Sequence, residues 1–344
     1  MPLISPNALL HAHLKQDPPR RPSGRGLAEA RPTQLNIGSL SHCNGSSLVK
    51  IGATTIVCGV RAQILPVSEI ANFRVTKTSQ SYDSSAPVRR DDRNKMADVH
   101  GHSYNPISLY NLLVPNIELA TGCSPKHAAN TMPSVEAQSL SQRLLSLLHT
   151  SQLVDPSQLG IIYIPPIESQ DPELGVDNDP QIKAYWTLYI DIMCISHGGS
   201  LFDAAWLAIY AALRDTELPQ AWWDPDLEQV LCSSDDVERL NLHGLPAPSS
   251  FGVFVPEKRS LTGPPASELP HWVLADLDAF EEETCIEDCC ITIDMNDAHG
   301  EPSILRIEKS GGTVLDVESL RGAFATAEER WRSWFRLLES VFRP

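Results

Sequence analysis

The strongest constraint in this chain is the stretch AYWTLYIDIMCIS (Ala184–Ser196), followed by the turn His197-Gly198-Gly199-Ser200 and then by AAWLAIYAALRD. The first run is too rich in Tyr, Ile and Thr to favour helix, and it is apolar almost throughout. It therefore reads as a strand buried on both faces, inside a sheet that other elements cover. The segment after the turn is apolar almost all round, which predicts a deeply buried helix, with Asp203 expected as its cap. A chain holding such a strand, turn and helix must supply further strands beside the first and further helices around the second.

Those elements can be read on either side. SSLVKIGATTIVCGVRAQIL predicts a β-hairpin turning at Gly52–Ala53, with Val49, Ile51, Ile56, Cys58 and Val60 toward a core. Residues 134–149 predict a helix capped by Ser134, because Leu140, Leu144, Leu147 and Leu148 form one stripe. Arg143 falls off that stripe. Phe251–Val255 reads as a strand, and CITIDMNDAHGEPSILRIEK as a hairpin with its turn in Asn296–Gly300. At the C-terminal end Ala327, Trp331, Trp334, Leu338 and Val341 mark one helix face, the tryptophans as core. The element order implies an α/β class, more closely an α+β two-layer fold. Residues 1–34 read as an N-terminal tail with a short helix near Asn7–Lys15; its Pro-, Arg- and Gly-rich remainder forms no regular element. Residues 35–245 read as a core domain with loops at 68–106 and 168–180, and 246–344 as a C-terminal subdomain.

Composition narrows the function. The 344 residues are 42% hydrophobic, enough for a sizeable core, yet no apolar run reaches the roughly 18 residues of a membrane helix. The start lacks a signal-peptide core, so a cytosolic or nuclear protein is expected. A formal net charge of −16 argues against a free-standing nucleic-acid binder, so any RNA contact should be local or shared with basic partners. The local candidates are Arg89, Arg90, Arg93 and Lys95, interleaved with Asp91 and Asp92 in the polar 68–106 loop; the alternative is a self-neutralising solvated loop. The cysteines read as reduced core thiols. Cys285, Cys289 and Cys290 lack the paired spacing of a zinc site, and His100 and His102 read as solvated. No metal or cofactor is expected.

Several of these segments resemble one family. Arg31–Ile64, with its "LVK-GATT-V-CGV" hairpin, Tyr185–Pro219, RRPSGR at Arg20–Arg25, Asn111–Pro125 and Ile304–Phe324 are together similar to the RNase PH-like ring subunits of the eukaryotic RNA exosome. The resemblance implies an RNase PH-like fold (ribosomal protein S5 domain 2-like). It also implies a place in the ring beside other RNase PH-like subunits, S1/KH cap subunits and a separate hydrolytic 3′–5′ exoribonuclease, with RNA threading the channel, in nucleus, nucleolus and cytoplasm. Catalytic members carry D-x-D and then D-G-G before the buried helix. Here Asp191 holds the first acidic position, Met193 the second and Gly198 the third; Phe202 replaces an Arg, and Gln142 takes the phosphate-binding Arg position beside Arg143. One carboxylate where the chemistry needs a coupled set implies a non-catalytic subunit with no catalytic residues. The alternative is an active phosphate-dependent 3′–5′ exoribonuclease that borrows the missing groups. A third class, a small-molecule kinase with Gly45-Ser46-Ser47 as a phosphate loop, conflicts with the β-like LVKIG that follows.

Overall fold

The computed structural model describes residues 5–74, 96–97, 103–124, 134–165, 180–256, 271–285, 287–295, 300–312 and 315–342. The chain opens with helix α1 (Pro6–Leu14) and the antiparallel strands β1 (Thr33–Ile37), β2 (Gly45–Ile51) and β3 (Thr54–Pro66). A short ladder of β4 (Met96–Ala97) and β5 (Ser103–Tyr104) leads to α2 (Pro106–Leu109), β6 (Leu113–Leu119) and α3 (Val135–Ser151). Next come α4 (Pro156–Leu159), β7 (Gly160–Tyr163), β8 (Gln181–Ser196), α5 (Leu201–Asp215), β9 (Glu217–Asp224) and β10 (Gln229–Arg239). The last segment holds β11 (Ala247–Phe254), β12 (Trp272–Ala275), α6 (Ala279–Thr284), β13 (Glu287–Asp294), β14 (Ser303–Ser310) and α7 (Val317–Phe342).

Two sheets organise the molecule. The larger runs β1-β2-β3-β8-β6, with β7 also on β8; only the β6–β8 pairing is parallel. The smaller runs β12-β11-β13-β14. Helix α5 packs on β2, β3 and β8 and reaches β11, while α7 packs on β11 and β13 and reaches β1. One apolar core therefore extends from Val49 and Ile192 through Trp206 to Trp331 and Leu338. This is the mixed α+β architecture that the element order implied.

The expected elements form for the expected reasons. Gly52, at φ +56°, turns the β2–β3 hairpin, and Ser134 caps α3 by accepting from the Ala137 amide at 3.1 Å. Every residue of α5 from Leu201 to Leu213 is buried. Three readings are corrected. Strand β8 is buried on both faces only over Ala184–Leu188; beyond it Tyr189, Met193 and Ile195 are 36%, 44% and 49% exposed, so one sheet face is open there. Asp203 does not cap α5: the cap position is Ser200, at φ +46°, and Asp203 sits fully buried in the first turn. The N-terminal segment, from residue 5 onward, is no free tail. Leu10 and Leu14 of α1 are buried against Phe254, Leu274 and Leu277, and Arg21 is fully buried.

Candidate functional site

The glycine turn between β8 and α5 is the point where distant parts of the chain meet. Gly199 adopts φ +99°, and a Cβ there would stand 2.3 Å from the Leu277 carbonyl oxygen. Gly198 lies against the β2–β3 turn, where a Cβ would stand 2.6 Å from the Ala53 Cβ. A side chain at 198 could enter only if that turn moved, so the packing itself disfavours a carboxylate at this position.

Arginines hold the turn. Arg31 donates to the Gly198 and Gly199 carbonyls at 2.6 and 3.1 Å, and to both carboxylate oxygens of Asp276, at 3.0 and 2.7 Å. Arg330 of α7 lies 3.1 Å from Asp203 and 3.8 Å from Asp276. Arg21 and Arg25 each reach Glu281 at 3.1 Å. Asp203 accepts from the Ser250 amide and hydroxyl at 2.9 and 2.7 Å. Burial opposes ionisation of Asp276, yet Arg330 and Arg31 outweigh it and hold the carboxyl well below the usual range. At Asp203 burial prevails over Arg330 and pushes the carboxyl up.

Beside the turn lies a cleft of about 330 Å³, walled by Glu136, Arg143, His197, Phe202, Glu282 and Asp288 among others. Several of its polar groups are already engaged. Glu282 accepts from the Ser200 amide at 2.6 Å, so the chain's own carboxylate occupies the N-terminal end of α5, where a helix dipole would attract a phosphate. Arg143 stacks 4.2 Å over the Phe202 ring and donates twice to Glu308, at 3.2 and 2.9 Å. Glu136 stands 3.6 Å from His197 and raises its imidazole above the ordinary value, against burial. Burial pushes Glu282 up, with the Ser200 amide opposing. The cleft thus carries Glu136, Glu282 and Asp288 against Arg143 and His197, a poor cradle for an anion.

The residues singled out from the sequence are dispersed. Asp191 lies mid-strand on the open sheet face and pairs with Arg61 at 2.8 Å, both about half exposed. Met193 shares that open face, with Phe202 buried in the cleft wall. Gln142 lies on α3, one residue before Arg143. Cys289 and Cys290 are buried in β13, and burial pushes the thiols of Cys285 and Cys290 up to about 12. The loop cations Arg89, Arg90, Arg93 and Lys95, with His100 and His102, lie outside the described residues. Sequence reasoning missed Glu282, Asp276, Arg31 and Arg330. The one local signal was Asp278-x-x-Glu281, the capping box of α6, which would have placed a helix start beside them.

Fold, turn and buried helix agree with the family comparison. The chain matches the RNase PH family, "3′ exoribonuclease family, domain 1", over residues 29–95 and 72–219, more than half its length, and it belongs to that family. Within it, the chain is similar to the exosome complex component rrp43 of Schizosaccharomyces pombe, 29% identical over 328 residues, which span 95% of this chain and 93% of that protein. It also resembles an exosome complex component Rrp42 of Methanothermobacter thermautotrophicus, at 26% over 58% of this chain and 54% of that one. A chain of the Archaeoglobus fulgidus exosome with RNA bound to the active site shares the fold, with TM-score 0.59 and 19% identity over 98% of both chains.

Proposed function

We propose that this chain is a non-catalytic structural subunit of an exosome core ring, helping to form the channel that guides RNA to a separate 3′–5′ exoribonuclease in nucleus, nucleolus and cytoplasm. The observation that carries the reading is the Glu282 carboxylate on the Ser200 amide: an internal anion holds the N-terminal end of the buried helix, which would otherwise favour a phosphate. Two further pairings add to it: Arg143, the arginine of the cleft, is taken up by Glu308, and Asp191, on the open sheet face, by Arg61. The likeness to ring components and the open sheet face at Tyr189, Met193 and Ile195 support assembly with other RNase PH-like subunits. S1/KH cap subunits complete the proposed set of partners.

The test is direct. Purified chain incubated with single-stranded RNA and inorganic phosphate is expected to release no nucleoside diphosphates. Phosphate-dependent shortening of the 3′ end, abolished by Asp191→Ala, would establish the competing reading of an active phosphorolytic exoribonuclease.

RNA guidance gives a second test. Changing Arg89, Arg90, Arg93 and Lys95 together to Ala, in a reassembled ring, is expected to weaken RNA binding and flatten its salt dependence. Each lost phosphate contact lowers the log–log salt slope by about 0.7 for single strands. The loss should be similar for unrelated RNA sequences. An unchanged slope would assign RNA contact to the partner subunits.

A further inference from the structure

Outside the cleft, one surface has no role in anything described above. Strands β9 and β10 form a two-stranded ribbon separate from both larger sheets. Their ladder pairs Gln229, Val230, Leu231 and Cys232 with Asp224, Trp223, Trp222 and Ala221, and a register shift follows before Val237. Among the described residues no further strand pairs with β10, so Gln229–Cys232 is an edge with an unpaired backbone side. The two faces differ. Val230 and Ala221 pack against the main core, and Lys183 lies 5.8 Å from the Trp223 ring. On the opposite face Trp222, 45% exposed, stands beside its cross-strand partner Leu231. Every charged side chain from Glu217 to Glu238 is a carboxylate, and the one cation of the ribbon, Arg239, is held by Glu217 at 2.9 Å.

We propose that this ribbon is a docking site for an extended, cationic segment of another protein, which adds to the β10 edge and seats an apolar side chain against Trp222. The edge favours a strand-like ligand, because backbone pairing supplies affinity without demanding one sequence. Trp222 provides the kind of aromatic anchor on which interface energy concentrates. The carboxylates select cationic partners and speed their encounter. They also repel a phosphate backbone, which separates this surface from any that contacts RNA. The proposal does not depend on the ring reading, since edge, anchor and charge all belong to this chain.

The test uses the full chain and a fluorescein-labelled peptide of about eight residues alternating Lys and Val, a strand-forming cationic probe. Two controls accompany it: the same peptide with Glu for Lys, and a labelled oligouridylate. The Lys peptide is expected to bind in low salt and to be displaced as salt rises; the controls are expected not to bind. Trp222→Ala should weaken the Lys peptide about tenfold, as removal of an anchor worth more than about 1 kcal/mol does. A separate variant, Asp226→Asn/Glu228→Gln/Glu238→Gln, should remove most of the salt dependence. All these side chains are exposed, and circular dichroism is the check that both variants fold. The proposal fails if the Lys peptide does not bind the wild-type chain, if both variants bind it as tightly as wild type, or if the oligouridylate or Glu peptide binds equally well.

Discussion

Asp276→Ala is expected to destabilise the chain by about 3–5 kcal/mol, the cost of removing one partner from a buried ion-pair network. In a chain of this length that lowers the thermal midpoint by roughly 4–7 °C. The loss is large because Asp276 is shared: Arg31 and Arg330 both rely on it, and both are nearly fully buried. Arg31 would keep its bonds to the Gly198 and Gly199 carbonyls but lose its counter-charge. The effect should depend on pH with a defined sign. Because the folded carboxyl titrates well below its unfolded value, its stabilisation is fully present above the ordinary carboxylate pKa of about 4 and is lost as pH falls through the depressed one. The difference between wild type and variant should therefore be constant near neutrality and shrink in acid. Thermal or urea unfolding at several pH values measures it. A difference under about 1 kcal/mol at neutral pH, the scale of a solvated surface pair, would mean that the network is not the clasp described here.

Trp331→Ala should cost about as much, 3–5 kcal/mol, for a different reason. The ring is fully buried, stacks on Phe335 with centroids 5.0 Å apart, and donates from Nε1 to the Leu245 carbonyl at 2.7 Å. Alanine leaves a cavity between α7 and the segment leading into β11, and also leaves that carbonyl without its partner. Trp331→Phe keeps most of the volume and loses only the donor, so it should fall in between. Equal losses for the two variants would show that the hydrogen bond, not the packing, dominates. Arg332→Ala, next along the helix and partly exposed, is the reference and should change stability by no more than about 0.5 kcal/mol.

The two predictions divide as the chain itself divides. Trp331 was visible in advance, because its place among Ala327, Trp334 and Leu338 is a periodic signal within one helix. So were the β2–β3 hairpin and α5, whose apolar patterns are local and strong. The overextended reading of β8 has an equally local cause. Its side chains are apolar on both faces, but only the first part is covered twice, and a sequence cannot tell an apolar face that is buried from one left open for a partner. The four-residue strands β7 and β12 escaped because short elements carry few periods to read.

The sequence by itself determined the family, the buried strand–turn–helix, the hairpins and the helical core stripes, because each is written in neighbouring residues at spacings of two or of three and four. Only the tertiary structure decided what became of the site. Glu282, Arg31, Asp276 and Arg330 come from segments far apart in the chain, and no local pattern ties them to Ser200 or Gly198. Charge pairing in a buried place depends on geometry after folding, not on order along the chain. That is why an arginine-rich stretch read as a tail became a clasp, and why a carboxylate from α6 fills the N-terminal end of α5.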